Sequence, residues 1–241
     1  MRGFVILFGP IPFLILAIVT LGLALAPAIM VFQSMSPAIN ELNQWAQLPL
    51  LGVLAVFSYY VYGFSLIFIA PTINLLLGGK LKPWRGPAPS LRSLSFYRHA
   101  TLTLITRYTF LEFITPSAFN VLFYRLMGMK CGHGVTINST AICDPSLIEL
   151  GDQAMIGGSA SIMGHYAQGN FMVIAPVKIG RRATIGLRAV IMGGVEVGEK
   201  AKVLANSFVL PNTKIPAGET WAGIPAAKIE LSKSEDRETA C

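Results

Sequence analysis

The sequence predicts a mixed fold in which two transmembrane α-helices and interfacial amphipathic helices precede a parallel β-helix. Three observations predict it. The first third of the chain is almost without charge, two apolar runs lie within that third, and the second half repeats its aliphatic residues every six positions. The first two observations define a membrane part, and the third defines a part that faces water.

The shortage of charge is local. Only 13% of the 241 residues are Asp, Glu, Lys or Arg, whereas a soluble domain has about 25%. Between Gly3 and Gly79 the only such residue is Glu41. Residues 1–79 are therefore predicted to be a two-helix transmembrane region.

Two runs, residues 4–32 and 48–77, are apolar enough to cross a bilayer, which takes about 20 residues. The loop between them carries Glu41 and no Lys or Arg, while Arg2 precedes the first run and basic residues follow the second. Positive charge beside membrane helices stays on the cytoplasmic side. We therefore predict a multi-pass protein of the cell (inner) membrane with both termini and the β-helix in the cytoplasm.

Residues 80–128 mix basic and apolar side chains. Between residues 80 and 130 a single acid, Glu112, faces eight bases: Lys80, Lys82, Arg85, Arg92, Arg98, Arg107, Arg125 and Lys130. Such segments are typical of amphipathic helices that lie in the membrane interface and contact anionic lipids. Packing of the same apolar residues on the following domain explains the pattern equally well. The interleaved Leu, Phe, Tyr and Ile disfavour nucleic acid as a partner.

A six-residue repeat fills the second half of the chain. Aliphatic residues recur without a miss at eight positions: Val173, Ile179, Ile185, Ile191, Val197, Val203, Val209 and Ile215. Upstream, Leu150, Ile156 and Ile162 follow the same spacing, and Ile137 and Cys143 continue it after a one-residue slip near Pro145. Three six-residue faces close one triangular coil, and stacked coils bury each other's edges. Strand alternation alone gives a period of two, not six.

These repeats resemble the hexapeptide-repeat acyltransferases over roughly residues 126–229. Residues 185–198 (IGLRAVIMGGVEVG) are similar to the family's central repeats, and residues 221–228 (WAGIPAAK) to its closing motif, with one residue inserted before the lysine. The membrane helices feeding residues 126–132 (LMGMKCG) resemble the membrane-bound repeat modules of peptide synthetases such as polylysine synthetase. The resemblance implies a left-handed β-helix over residues 129–229. Residues 230–241 are predicted to be a polar C-terminal tail.

The repeat breaks once. Ile162 and Val173 are eleven positions apart, one short of two hexads, and the break contains His165, the only histidine within the repeat proper. Loops that leave a regular repeat often carry function. Acyl transfer needs a base near neutral pH, and the resemblance implies that role for His165. The alternative is that His165 only hydrogen-bonds its own loop.

A catalytic imidazole usually needs an acceptor on its second nitrogen. Asp144, Glu149 and Asp152 precede His165 by about one coil; we favour Asp144, and a backbone carbonyl would serve equally well. The resemblance further implies an acyl-CoA donor whose pantetheine lies along coil corners near Gly186, Ala205 and Ala222, with Lys228 meeting a phosphate. It also implies a homotrimer.

The sequence therefore predicts a membrane-anchored acyltransferase that moves an acyl group, acetyl being favoured, to a hydroxyl or amine of a small-molecule or lipid-linked acceptor. Carbonic anhydrases of the same fold need three metal-binding histidines, and only His133 and His165 lie near the repeat, so no metal is expected. The remaining alternative is a non-catalytic β-helix scaffold that organises a membrane complex.

Overall fold

The structure is a computed structural model that describes residues 11–87, 90 and 92–230. Arg2 and the predicted tail beyond Glu230 lie outside these residues. The chain divides into two compact units. One contains the described residues up to Gly79 together with Leu94–Phe113, and the other contains Lys80–Ser93 and the chain from Ile114 onward. The predicted interfacial segment, residues 80–128, thus contributes to both units.

The first unit is helical. Its two long helices are α1 (Ile11–Asn40) and α2 (Gln44–Leu76), and by length and composition each is able to cross a membrane. The two predicted apolar helices are therefore present. Helix α3 (Ser93–Thr106) continues through a π-helical turn (Arg107–Leu111) into the short helix α4 (Glu112–Ile114).

Close packing joins the π-helical turn to α2. Gly63 has no side chain, and a β-carbon there would overlap the ring of Phe110. The Tyr59 hydroxyl donates a hydrogen bond to the Thr109 carbonyl at 2.5 Å. The absence of a side chain at Gly63 and the hydrogen bond from the Tyr59 hydroxyl therefore let the π-helical turn approach α2 closely.

The second unit is a parallel β-helix with three faces. The first face contains β2 (Lys130–Cys131), β5 (Ile148–Leu150), β10 (Val177–Ile179), β13 (Glu196–Val197) and β16 (Lys214–Ile215). The second contains β3 (Thr136–Ile137), β6 (Met155–Ile156), β11 (Thr184–Ile185), β14 (Lys202–Val203) and β17 (Thr220–Gly223), closed by the antiparallel β18 (Ala226–Ile229). The third contains β4 (Ile142–Cys143), β7 (Ser161–Met163), β12 (Val190–Ile191) and β15 (Phe208–Val209).

The repeat has the predicted cause. Ile185, Ile191 and Val197 stand on three successive faces and are almost completely buried. At the corners, a β-carbon on Gly180 would lie 2.7 Å from the backbone nitrogen of Glu199 in the next coil. Glycine is therefore required where neighbouring coils come closest.

Two residues assigned to the repeat are wrong. Ile142, not Cys143, pairs with Ile162 and is buried. The buried aliphatic residues are five positions apart from Ile137 to Ile142 and eight apart from Ile142 to Leu150, so the repeat slips on both sides of Ile142. Val173 belongs to a hairpin outside the prism, where it pairs with Tyr166. Its spacing matched the hexads by coincidence, since the coil resumes only at Val177.

Helix α5 (Ala118–Leu126) packs on the first coil. The Asn120 amide donates to the Ile137 carbonyl at 2.9 Å, and the Tyr124 hydroxyl donates to the Thr140 carbonyl at 3.2 Å. Both side chains are fully buried. Of the two explanations for the apolar residues of this segment, packing on the following domain holds for α5.

Candidate active site

The break in the repeat is a β-hairpin. Strand β8 (His165–Gln168) turns at Gly169, whose φ is +58°, and returns as β9 (Phe171–Ile174). Strand β1 (Trp84–Pro87) adds to the outer side of β9, so the hairpin becomes a three-stranded antiparallel sheet. His165 is the first residue of the hairpin, directly after Gly164.

Asp144 lies at the sequence slip beside the root of the hairpin. It adopts a left-handed conformation, with φ 60° and ψ 52°, and precedes the 3₁₀ helix Pro145–Leu147. Strand β4 pairs with β7 so that Cys143 lies opposite Met163, which brings the next residue, Asp144, beside Gly164. A β-carbon on Gly164 would lie 3.2 Å from that of Asp144. The slip and the glycine together set the carboxylate next to His165.

The structure brings His165 and Asp144 into direct contact. The His165 Nδ1 lies 2.5 Å from the Asp144 Oδ2. The Asp144 side chain is 1% exposed and the imidazole 27% exposed. A buried carboxylate therefore holds a ring that solvent or a ligand can reach.

The other acids considered as partners have other contacts. Glu149 pairs with Lys130 at 3.1 Å on the first face. Asp152 accepts the backbone N–H of His133 at 2.8 Å. His133 lies in a turn at the start of the β-helix and is exposed.

Tyr166 fixes the opposite face of the hairpin. Its ring packs over Gly193, where a β-carbon would lie 3.1 Å from the Tyr166 Cδ1. Its hydroxyl accepts a hydrogen bond from the Asn212 amide at 2.9 Å. The hairpin is thus held against two later coils.

The residues predicted to bind the donor form one edge of the prism. Gly186 follows β11 of the second face, and Ala222 lies within β17 of the same face, in register with it through Leu204. A β-carbon on Gly186 would lie 2.5 Å from the Ala205 nitrogen. His165 follows β7 of the third face. Within one chain the donor edge and His165 therefore lie on different edges of the prism.

Lys228 lies on the closing strand β18, opposite Trp221. Its Nζ pairs with the Glu219 Oε1 at 2.9 Å, and the Trp221 indole donates to the other Glu219 oxygen at 2.9 Å. The hydrogen bonds from Trp221 and then Lys228 lower the pKa of Glu219, and Glu219 raises the pKa of Lys228. Lys228 therefore remains charged, and a phosphate would share it with Glu219.

Residues 176–211 match the family described as "Hexapeptide repeat of succinyl-transferase". These residues form the coils that follow the hairpin in the sequence. The β-helix therefore contains hexapeptide repeats of the kind that this family model describes.

The chain is similar in sequence to three curated relatives. The chain is 27% identical over 139 residues to a delta-poly-L-ornithine synthetase of Acinetobacter baumannii, 58% of this chain and 10% of the synthetase. It is 38% identical over 82 residues to gamma carbonic anhydrase 2 of Arabidopsis thaliana, 34% of this chain and 24% of that protein. It is 31% identical over 147 residues to a serine acetyltransferase of Buchnera aphidicola, 60% of this chain and 46% of the enzyme. The chain thus spans a tenth to about half the length of these relatives.

A similar solved structure is a hexapeptide-repeat acetyltransferase of Vibrio cholerae in complex with acetyl coenzyme A. It is 19% identical, with a TM-score of 0.45 over 66% of this chain and 98% of that one.

The carbonic anhydrase relative raises the question of a metal centre. Within residues 11–87, 90 and 92–230, no group of three or more His, Cys, Asp or Glu side chains is placed to hold a metal ion. Asp144 is instead engaged by the imidazole of His165.

Strand β1 is the element of the site that sequence reasoning missed. Residues 84–87 show no alternation of apolar and polar residues, and their partners lie about 90 positions later in the chain. Trp84 is of a type common in strands, but a single such residue does not predict one, and Pro87 disfavours a strand interior.

Proposed function

We propose that this chain transfers an acyl group, acetyl being favoured, from acyl-CoA to a hydroxyl or amine, with His165 as the general base. The observation that carries the proposal is the contact between a buried aspartate and a partly exposed histidine at the single break in the repeat. The serine acetyltransferase relative supports the reaction class, since its name describes acyl transfer to a hydroxyl compound.

The step follows from the geometry of the pair. Because Asp144 engages Nδ1, proton transfer with the acceptor uses Nε2. Nε2 takes the proton as the acceptor oxygen or nitrogen attacks the thioester carbonyl. The carbon–sulfur bond then breaks, and the CoA thiolate leaves and recovers a proton from the imidazolium. Asp144 fixes the tautomer and stabilises the imidazolium that forms in between.

We infer that the donor lies along the edge formed by Gly186, Ala205 and Ala222, with Lys228 near a phosphate, and that the coils wind left-handed. Small residues on this edge leave the backbone accessible to a pantetheine chain. Because His165 lies on a different edge, a complete site needs the donor edge of one copy beside the His165 edge of another. This supports the proposal of a homotrimer with sites between neighbouring prisms.

A complementation experiment tests the shared site. His165→Ala and Ala222→Trp subunits are each expected to be inactive, the second because the indole blocks the donor edge. Co-expressed in one assembly, they regain part of the wild-type rate if sites lie between copies. No recovery in mixed assemblies, with each variant still trimeric by light scattering, would mean that each chain contains its own complete site.

We propose that α1 and α2 anchor the enzyme in the inner membrane, with both termini and the β-helix in the cytoplasm. Their outward apolar side chains support this, since Leu14, Ile18, Met30, Val53 and Leu76 are all more than half exposed. A membrane covers such surface, and water does not. An acceptor carried by a membrane lipid suits this location.

Impermeant maleimide labelling of intact cells tests the topology. In a background with Cys131, Cys143 and Cys241 replaced by serine, Glu41→Cys should react from outside. The native Cys241, restored alone, should react only after permeabilisation. The reverse pattern would place the β-helix outside the cytoplasm.

The reaction itself is tested by CoA release. Purified protein in detergent is incubated with acetyl-CoA and membrane lipid extract, beside His165→Ala and, as a matched control, His133→Ala. Loss of a general base costs about 10²–10⁴-fold in rate, so His165→Ala should fall by that factor and His133→Ala should retain the wild-type rate. Equal rates in wild type and His165→Ala would exclude His165 as the base. No turnover of any thioester, including long-chain ones, would favour the scaffold.

A further inference from the structure

We propose that residues 81–87 form one wall of the acceptor site, and that Trp84 selects acceptors with an apolar group beside the reacting hydroxyl or amine. We call this segment the strap. The proposal rests on the proposed function of His165, because it names the chemistry of the molecule that His165 deprotonates. It adds to the site a segment that lies outside the hexapeptide repeats.

Both ends of the strap are attached to elements that hold the catalytic pair. At its start, the Leu81 N–H donates to the Ser146 hydroxyl at 3.1 Å, and the Leu81 side chain is 5% exposed. Ser146 belongs to the 3₁₀ helix that directly follows Asp144. At its end, Trp84–Pro87 pairs with β9 over four residues. The strap therefore runs from beside Asp144 to the hairpin that carries His165.

The pairing aligns Trp84 with His165. Trp84 lies opposite Ile174, and Ile174 lies opposite His165. Directly opposed residues of antiparallel strands project from the same face of a sheet. Two strand spacings separate the backbones of Trp84 and His165 by about 10 Å. A small acceptor bound at the imidazole therefore comes within reach of the indole.

The indole is fixed along this face. Gly86, two residues on, is buried, and a β-carbon there would lie 2.5 Å from the Trp84 Cζ2. Trp84 thus folds over a glycine on its own strand, while the side chain as a whole stays partly exposed. The glycine gives the ring a flat support, and the ring offers a flat apolar surface.

The remaining residues of the face are apolar. The row beside His165, Ile174 and Trp84 is formed by Ala167, Met172 and Gly86. Arg85 lies on the opposite face, where its guanidinium stacks 5.5 Å from the centre of the Phe171 ring. The base therefore operates next to a hydrocarbon wall, which favours an acceptor with an apolar substituent over a fully hydrated one.

Two artificial acceptors test the wall without knowledge of the natural one. With acetyl-CoA as donor, kcat/KM is measured for 2-phenylethylamine and for ethanolamine. The wild type should prefer 2-phenylethylamine. Trp84→Ala should lower that preference about 10-fold, through the phenyl substrate, with the KM for acetyl-CoA unchanged. Trp84→Phe should retain most of the preference, and Trp45→Ala, on helix α2, all of it.

Gly86→Ala provides a second variant that keeps the tryptophan. Its β-carbon displaces the indole from the face, so it should lose the preference as Trp84→Ala does. If Trp84→Ala and Gly86→Ala both keep the wild-type ratio of the two acceptors, the strap is not the acceptor wall.

Fluorescence separates this proposal from the proposed function. In a Trp45→Phe, Trp221→Phe background, Trp84 is the only tryptophan. Its emission should change saturably with 2-phenylethylamine in the absence of donor, also in the His165→Ala variant. If the wild type transfers no acetyl group but this emission responds, the proposed reaction fails and the binding wall stands. If acetyl transfer occurs and the emission does not respond, the wall is contradicted.

Discussion

The coils of the β-helix and the sheet that interrupts them differ in regularity and in how far their side chains are buried. In the coils, every face repeats one buried aliphatic residue, such as Ile185 or Ile191, and each backbone edge is covered by the next coil. The interrupting sheet is assembled from two distant segments and carries a partly exposed histidine. On the proposed function, the regular region therefore provides stability, and the irregular one carries the catalytic histidine.

This contrast predicts that substitutions in the two regions affect different quantities. The largest effect on stability is expected for Ile191→Ala, since its side chain is fully buried on the third face. Truncations of this kind cost about 2–5 kcal/mol. A lower Tm in detergent checks the prediction, and His165→Ala, with the Tm of the wild type, is the matched control. An unchanged Tm for Ile191→Ala would show that the coils are not the stabilising region.

Gly164→Ala is expected to affect rate more than stability. Its β-carbon would lie 3.0 Å from the Leu147 side chain and 3.2 Å from the Asp144 β-carbon, so Asp144 must move by a few tenths of an ångström. Small misplacements of catalytic groups cost up to about 10²-fold. We expect kcat to fall about 10-fold or more at near-constant Tm. A lower Tm with full activity would show that Gly164 serves the stability of the coils and not the placement of Asp144.

Tyr166→Phe measures how firmly the hairpin is held on the later coils. It removes the hydroxyl that accepts a hydrogen bond from Asn212 and keeps the ring on Gly193. Such a hydrogen bond contributes about 1 kcal/mol, so kcat should fall only a few-fold. Asn212→Ala should give the same small loss, and a loss as large as that of His165→Ala would make Tyr166 part of the chemistry.

The smallest effect, a change in Tm, is expected at the antiparallel pair β17 and β18, which closes the second face. The hydrogen bond from Trp221 and the contact with Lys228 lower the pKa of Glu219. The ionised carboxylate therefore stabilises the fold at pH values above the ordinary pKa of glutamate, and this contribution is lost as pH falls through the lowered folded value. Because Lys228 is exposed, Glu219→Gln should lower Tm slightly at pH 7 and not at all in strong acid. A difference in Tm that persists in acid would contradict this assignment.

The sequence predicts the regular region well and the irregular region in part. Ile185, Ile191 and Val197 mark the coils because burial in a triangular prism demands an aliphatic residue every six positions. The same rule misplaced Val173, whose spacing fits the repeat although it pairs with Tyr166 in the hairpin. The six-residue spacing alone does not indicate where the chain leaves the prism to form the hairpin.

Part of the candidate site could be predicted from the sequence for a different reason. His165 and Asp144 were singled out because a break and a slip stand out against a regular repeat. Trp84 lies outside the regular repeat, so no break in a pattern marks it. Its strand forms only by pairing with β9. Register between segments about 90 residues apart depends on tertiary packing, which local pattern does not encode.

The central claim is that His165 and Asp144 act as one unit in acyl transfer, and a double-mutant cycle tests it most directly. CoA release is measured for His165→Ala, Asp144→Asn and the double variant, all with wild-type Tm. Groups that act as a unit give strongly non-additive losses. We predict that the double variant is no slower than His165→Ala alone. Losses that multiply would show that the two residues act independently, and would contradict the account.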